Sequence, residues 1–274
     1  GIGGIQPFPA KVVDEVVNGD CKALSFYTQS LLSAAGIESY YTWVEAGANP
    51  EKVYEDFPND TFNHIILCVP NEGDTIWLEC TSQSIPFGFL GDFTSDRDVL
   101  LIKESGAEIV RTPAYLKEDN LIRAQAQIDF DESGSAKISS QTKFYGEAYG
   151  YKNVDYYLKL SKNDQEDWIR SYLDLPNYDL KSFSFTENRD VLPSVDLDLQ
   201  IDARSLASQS GKRYFFNTDL LTKVGGIPKI SEARKNPIYL GPSRVFVDSI
   251  TFTWPENLKV EQLPEPVSIT TEFG

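Results

Sequence analysis

Between Asp20 and Ala35 the apolar positions Leu24, Tyr27, Leu31, Leu32 and Ala35 recur at three- and four-residue intervals, the spacing that gathers side chains on one face of a helix. Asp20 is placed to cap its start and Gly36 to end it, so a helix is predicted here. The period then shortens to two. Ile37 to Val44, Phe62 to Val69 and Thr75 to Thr81 are rich in β-branched and aromatic residues and read as strands. A polar loop from about Glu45 to Asp60 separates the first two. Pro70-Asn71-Glu72-Gly73-Asp74 suits a tight hairpin between the others. Upstream, Gly1-Ile2-Gly3-Gly4 and Pro7-Phe8-Pro9 put breakers where a regular element would start, so residues 1–17 are expected to be an irregular lead-in.

Beyond Ser82 comes a Gly/Phe/Pro-rich piece, Ile85 to Gly91, and then two short apolar runs, Val99 to Ile102 and Ile109 to Val110, which read as further strands. A boundary is expected between Pro113 and Asn120, dividing a first domain of residues 1–115 from a second of 121–274. In the second, Ala124 to Phe130 and Ala136 to Phe144 alternate about Asp131-Glu132-Ser133-Gly134-Ser135, a hairpin wet on one face. Helical spacing returns from Val154 to Leu173, with Ser161 as a cap. Val195 to Ile201 and Val245 to Phe252 alternate again, and the pattern predicts a β-sandwich. The fold class expected is α+β.

Composition narrows the partners. Lys and Arg number 25 and Asp and Glu 41, a formal charge of −16, which disfavours nucleic acid and anionic membrane surfaces. No apolar run approaches the roughly 20 residues of a membrane span. The chain has no methionine, so it reads as a piece whose leader or upstream domain lies outside the sequence. Three cysteines and one histidine fit neither a disulfide scaffold nor a structural zinc site, and no cofactor or metal is expected.

The three cysteines are Cys21, Cys68 and Cys80, and the histidine is His64. Cys21 follows Asn18-Gly19-Asp20 at the first turn of the predicted helix, where free N–H groups and the helix dipole favour a thiolate. Hairpin arithmetic pairs Pro70 with Thr75 and Ile66 with Glu79, which puts His64, Ile66, Cys68 and Glu79 on one face and Cys80 on the other. A register slip of one would reverse Glu79. Cysteine at a helix start, histidine on a strand and an acid on the next strand form a nucleophile, a base and a group that orients the base.

At these residues the chain resembles the transglutaminase-like superfamily, in which papain-type Cys, His and Asp residues occur in this order. The matching segments are Gly19-Asp20-Cys21-Lys22-Ala23, Phe62-Asn63-His64-Ile65-Ile66 and Trp77-Leu78-Glu79-Cys80-Thr81. More narrowly it resembles a bacterial subgroup in which such a domain stands between two β-rich domains. Two departures stand out: Glu79 replaces the usual Asp, and only 20 residues precede Cys21.

The resemblance implies a papain-like core, a helix carrying Cys21 packed on an antiparallel sheet, followed by the sandwich. It implies acyl transfer on a peptide or protein substrate, with catalytic Cys21, His64 and Glu79, in an exported protein of the periplasm or cell envelope. Hydrolysis by a peptidase or amidase is favoured over crosslinking by a transglutaminase, and an inert binding or assembly module is the alternative from a different class. For the oxyanion, the Cys21 N–H and the Gln6 side chain are the candidate donors. Trp43, Trp77, Phe87 and Phe89 are either core or the wall of a substrate groove.

Overall fold

A computed structural model describes residues 4–48, 50–54, 57, 60–222 and 241–271. Gly1 to Gly3 of the expected lead-in, part of the 45–60 loop and residues 223–240 of the expected second domain lie outside the described residues. The chain is α+β, with about 20% helix and 36% strand.

Helix α1 (Ala10–Val16) precedes helix α2 (Cys21–Ala34). The first corrects the expected irregular lead-in. Pro9 stands at the N-cap, where its fixed φ costs nothing, and no breaker interrupts the seven residues that follow. Tyr27 of α2 then holds α1 through a 2.7 Å hydrogen bond to Asp14. In α2, Asp20 caps as expected, accepting from the Ala23 N–H at 3.0 Å, and Gly36 takes the left-handed φ of +76° just past the end.

Strands β1 (Tyr40–Val44), β2 (His64–Asn71), β3 (Asp74–Leu78), β4 (Asp98–Lys103) and β5 (Gly106–Arg111) form an antiparallel sheet in the order β3-β2-β1-β4-β5. The β2–β3 register is the one the hairpin arithmetic gives: Pro70 faces Thr75 and Leu67 faces Leu78. Glu72 and Gly73 make the two-residue turn, both at positive φ, the geometry that matches strand twist. Between β3 and β4 lies the single-turn helix α3 (Gly91–Thr94).

The second sheet comprises β6 (Asn120–Phe130), β7 (Ala136–Gly146), β8 (Tyr178–Asn188), β9 (Ser194–Ala203) and β12 (Val245–Thr253). Its order is β12-β6-β7-β9-β8, antiparallel except that β12 runs parallel to β6. Alternation buries Ile122, Ala124, Ile128, Ile138, Phe144, Leu197, Leu199 and Ile201 on one face. The other face shows Gln125, Gln127, Gln141, Asp198 and Gln200 to water.

A second large sheet does not cover the apolar face among the described residues, which corrects the expected sandwich. Helices α4 (Val154–Tyr157) and α5 (Lys162–Tyr172) and the ribbon of β10 (Ser208–Ser210) and β11 (Arg213–Phe215) pack there instead. Trp168, Ile169 and Tyr172 of α5 belong to this core. Alternation reveals a buried face and is silent about what buries it.

The Pro86 to Ser95 segment joins the two cores. Phe89 packs in the core of the second sheet while its neighbour Leu90 packs in that of the first. Buried Ser95 donates to Glu147, and Ser84 donates to Asp155 at 2.6 Å.

Candidate active site

Gly19, Asp20 and Cys21 shape the start of α2. A Cβ on Gly19 would lie 2.9 Å from the Ala23 Cβ, so only glycine lets the chain turn this closely into the helix. Asp20 caps it and pairs with Lys22 Nζ at 2.9 Å. Cys21 is therefore the first helical residue, half-buried, where backbone N–H groups lack partners within the helix.

The helix lies against the start of β2. Ser25, one turn beyond Cys21, is fully buried and donates to the Ile65 carbonyl at 3.3 Å, next to His64. Tyr41 reaches the same turn, its hydroxyl donating to the Lys22 carbonyl at 3.4 Å. Burial, and behind it the nearby Asp20 carboxylate, push that phenol above its ordinary range, so it stays a neutral donor.

His64 opens β2 and is buried. Its Nε2 lies 2.9 Å from Glu79 Oε2, and the edge of the ring meets Phe93 at a centroid distance of 5.4 Å. Glu79 follows β3 on the pleat side of Ile66 and His64, and its side chain is only 2% exposed. The other oxygen, Oε1, accepts from the Thr81 N–H at 3.0 Å and the Thr81 hydroxyl at 2.5 Å. Burial alone would raise this carboxyl. The hydrogen bond and charge of His64, with both Thr81 donors, outweigh it and hold the group below its ordinary value.

The structure thus brings His64 and Glu79 into contact, and it packs α2 through Ser25 against Ile65, the residue after His64. Cys21 takes part in no hydrogen bond among the described residues, and neither does His64 Nδ1. With Nε2 engaged by Glu79, Nδ1 is the ring nitrogen left to take a thiol proton. Gln6 is exposed in the bend before α1, and no hydrogen bond among the described residues ties it to the other three.

The other two cysteines differ in setting. Burial drives the Cys68 thiol up to about 11, partly offset by the Lys103 charge. Burial also raises Cys80, against hydrogen bonds from Ser25 and Thr28. Cys80 faces α2, on the opposite pleat side from Glu79, as the alternation predicts. Of the aromatic candidates, Trp77 and Phe89 are core, Trp43 is half-buried and Phe87 is exposed.

Thr81, Phe93 and Tyr41 escape a reading by residue type alone. The signal for Thr81 is its spacing: a hydroxyl two residues beyond a carboxylate can turn back onto it. No group of three or more His, Cys, Asp or Glu side chains arranged to hold a metal ion occurs among the described residues, and no described helix is long and apolar enough to cross a membrane. Comparison of the chain with protein-family models, curated proteins and solved structures gives no match.

Proposed function

We propose that the chain is a cysteine-dependent acyl-transfer enzyme acting on a peptide or protein, with Cys21 as nucleophile, His64 as acid and base, and Glu79 as the group that orients His64. The observation that carries this reading is the 2.9 Å contact between His64 and a buried carboxylate, on a strand whose Ile65 carbonyl accepts from Ser25 of the helix that begins with the cysteine. Packing of α2 against an antiparallel sheet supports a papain-like, transglutaminase-like core.

In the reaction, His64 Nδ1 takes the Cys21 proton, and the thiolate attacks the substrate carbonyl carbon. The tetrahedral intermediate collapses as the imidazolium protonates the leaving amine, which departs and leaves a thioester on Cys21. Water, deprotonated by His64, then attacks the thioester and releases the acid while the thiol is re-formed. The Glu79 carboxylate stabilises the imidazolium through both steps. The Cys21 N–H is the natural oxyanion donor. Hydrolysis is the favoured outcome, in an exported protein of the periplasm or cell envelope.

A peptide-cleavage assay beside a labelled-amine incorporation assay tests the reaction. Cleavage without amine incorporation, abolished by Cys21→Ala, is the expected result, and amine-bearing product would make the chain a transamidase. Reactivity is tested separately with iodoacetamide at neutral pH. Cys21 is expected to react at least tenfold faster than Cys68 and Cys80, whose thiols burial pushes up. Equal rates at the three sites would sink the enzyme reading. The absence of a Cys21 hydrogen bond among the described residues is the one observation that favours the second reading, an inert assembly module.

A further inference from the structure

We infer that Thr81 is a positioning residue of this site, the anchor that lets a glutamate serve where an aspartate would be the shorter fit. The inference rests on the reading of His64 and Glu79 as base and orienting group.

Glutamate carries one more methylene than aspartate, and that methylene adds a rotor. An unanchored Glu79 would sample several rotamers, of which few point Oε2 at the ring. Thr81 removes this freedom. Its N–H and hydroxyl both hold Oε1, at 3.0 and 2.5 Å, which leaves Oε2 aimed at His64 Nε2 at 2.9 Å. The two oxygens thus have separate duties, one fixed to the backbone after β3 and one directed at the base. Donors on Oε1 also help keep the carboxyl ionised in a buried place, where the desolvation cost would otherwise favour the neutral acid.

The alternative, that Thr81 merely stabilises the chain turn after β3, is weak on two grounds. Thr81 is exposed and sits outside both hydrophobic cores. Its hydroxyl is spent on Glu79 and on no other group among the described residues. Glu79 is in turn the one charged side chain in hydrogen-bond contact with His64 among the described residues. Phe93, against the ring edge, brings no charge.

The test uses the single histidine of the chain, whose ring nitrogens are the one pair of imidazole resonances to follow in a nitrogen-15 NMR titration. Thr81→Val removes the hydroxyl at constant volume, and Thr81→Ser keeps it. In Thr81→Val, the His64 titration midpoint is expected to fall by about half a pH unit or more as the carboxylate loses its aim. Alkylation of Cys21 by iodoacetamide at pH 7 is expected to slow about tenfold, the size of one charge-assisted hydrogen bond. Thr81→Ser is expected to restore both to within about twofold of the parent.

A Thr81→Val protein with the parent's circular dichroism and unchanged His64 and Cys21 readouts overturns the proposal. So does a Thr81→Ser protein as impaired as Thr81→Val. Should Thr81→Val not fold, Thr81→Ala takes its place under the same criteria. The His64 midpoint needs no turnover, so a chain whose Cys21 reacts no faster than Cys68 would end the enzyme reading and still decide whether Thr81 directs Glu79.

Discussion

At the scale of single residues, the His64–Glu79 pair makes two demands. Glu79→Gln keeps the shape and removes the charge, leaving an imidazolium with no counter-charge in a site where Glu79 is 2% exposed. Peptide cleavage is expected to fall by at least about a hundredfold in kcat, with a smaller change in KM, because the charge acts in the transition state. The carboxylate also ties stability to pH. Its folded value lies below 4.5, the ordinary value it regains on unfolding. Its contribution is therefore complete above about pH 4.5 and lost as pH falls through the folded value. Urea midpoints of the parent are expected to drop across that acid range, and those of Glu79→Gln to drop less. The contact of His64 with Glu79 was legible because the hairpin register and strand alternation put both on one face. Thr81 was not, since its role comes from which way a glutamate side chain bends.

At the scale of elements, α2 and the β2–β3 hairpin carry the candidate residues, and both could be read from the chain. A polar cap, a helical apolar period and a glycine stop define one, and a two-residue turn with a left-handed Gly73 defines the other. Asp20→Ala removes the only side-chain cap of α2 and is expected to cost about 1 kcal/mol in urea unfolding. It should also slow Cys21 alkylation, because fraying begins at the residue that carries the thiol. What could not be read was coverage. Helix α1 is tied to α2 by a contact from Tyr27 to Asp14, and the second sheet is roofed by α5 and a ribbon. Both are long-range choices that local period does not encode. Gly146 shows the same limit: at φ +64° its missing Cβ leaves room for the Asp119 carbonyl, 1.5 Å from where that Cβ would stand. Gly146→Ala should therefore destabilise by more than about 3 kcal/mol, read from the same urea titration.

At the scale of the whole molecule, the Pro86 to Ser95 segment makes the site answer to the second sheet. Phe89 enters the larger core against Tyr115 and Tyr149, Leu90 enters the smaller one, and Phe93 reaches His64. Ser95, at the end, donates to Glu147, a buried group whose other oxygen accepts from Asn120 at 3.1 Å. Unfolding the second sheet would strip Phe89 and Ser95 of their partners and leave Phe93 without a fixed base, so the two sheets should lose structure together. Two signals of a single nitrogen-15 spectrum report them separately: the His64 ring, and the Trp168 indole N–H, which donates to the Lys152 carbonyl at 2.8 Å. In a urea titration of the parent the two signals are expected to vanish with the same midpoint. Phe89→Ala, which empties a position 2% exposed, should lower that shared midpoint by the equivalent of about 3–5 kcal/mol. A His64 signal lost well before that of Trp168 in the parent would mean that the site sits on an independent sheet, and that Phe89 anchors the second core alone.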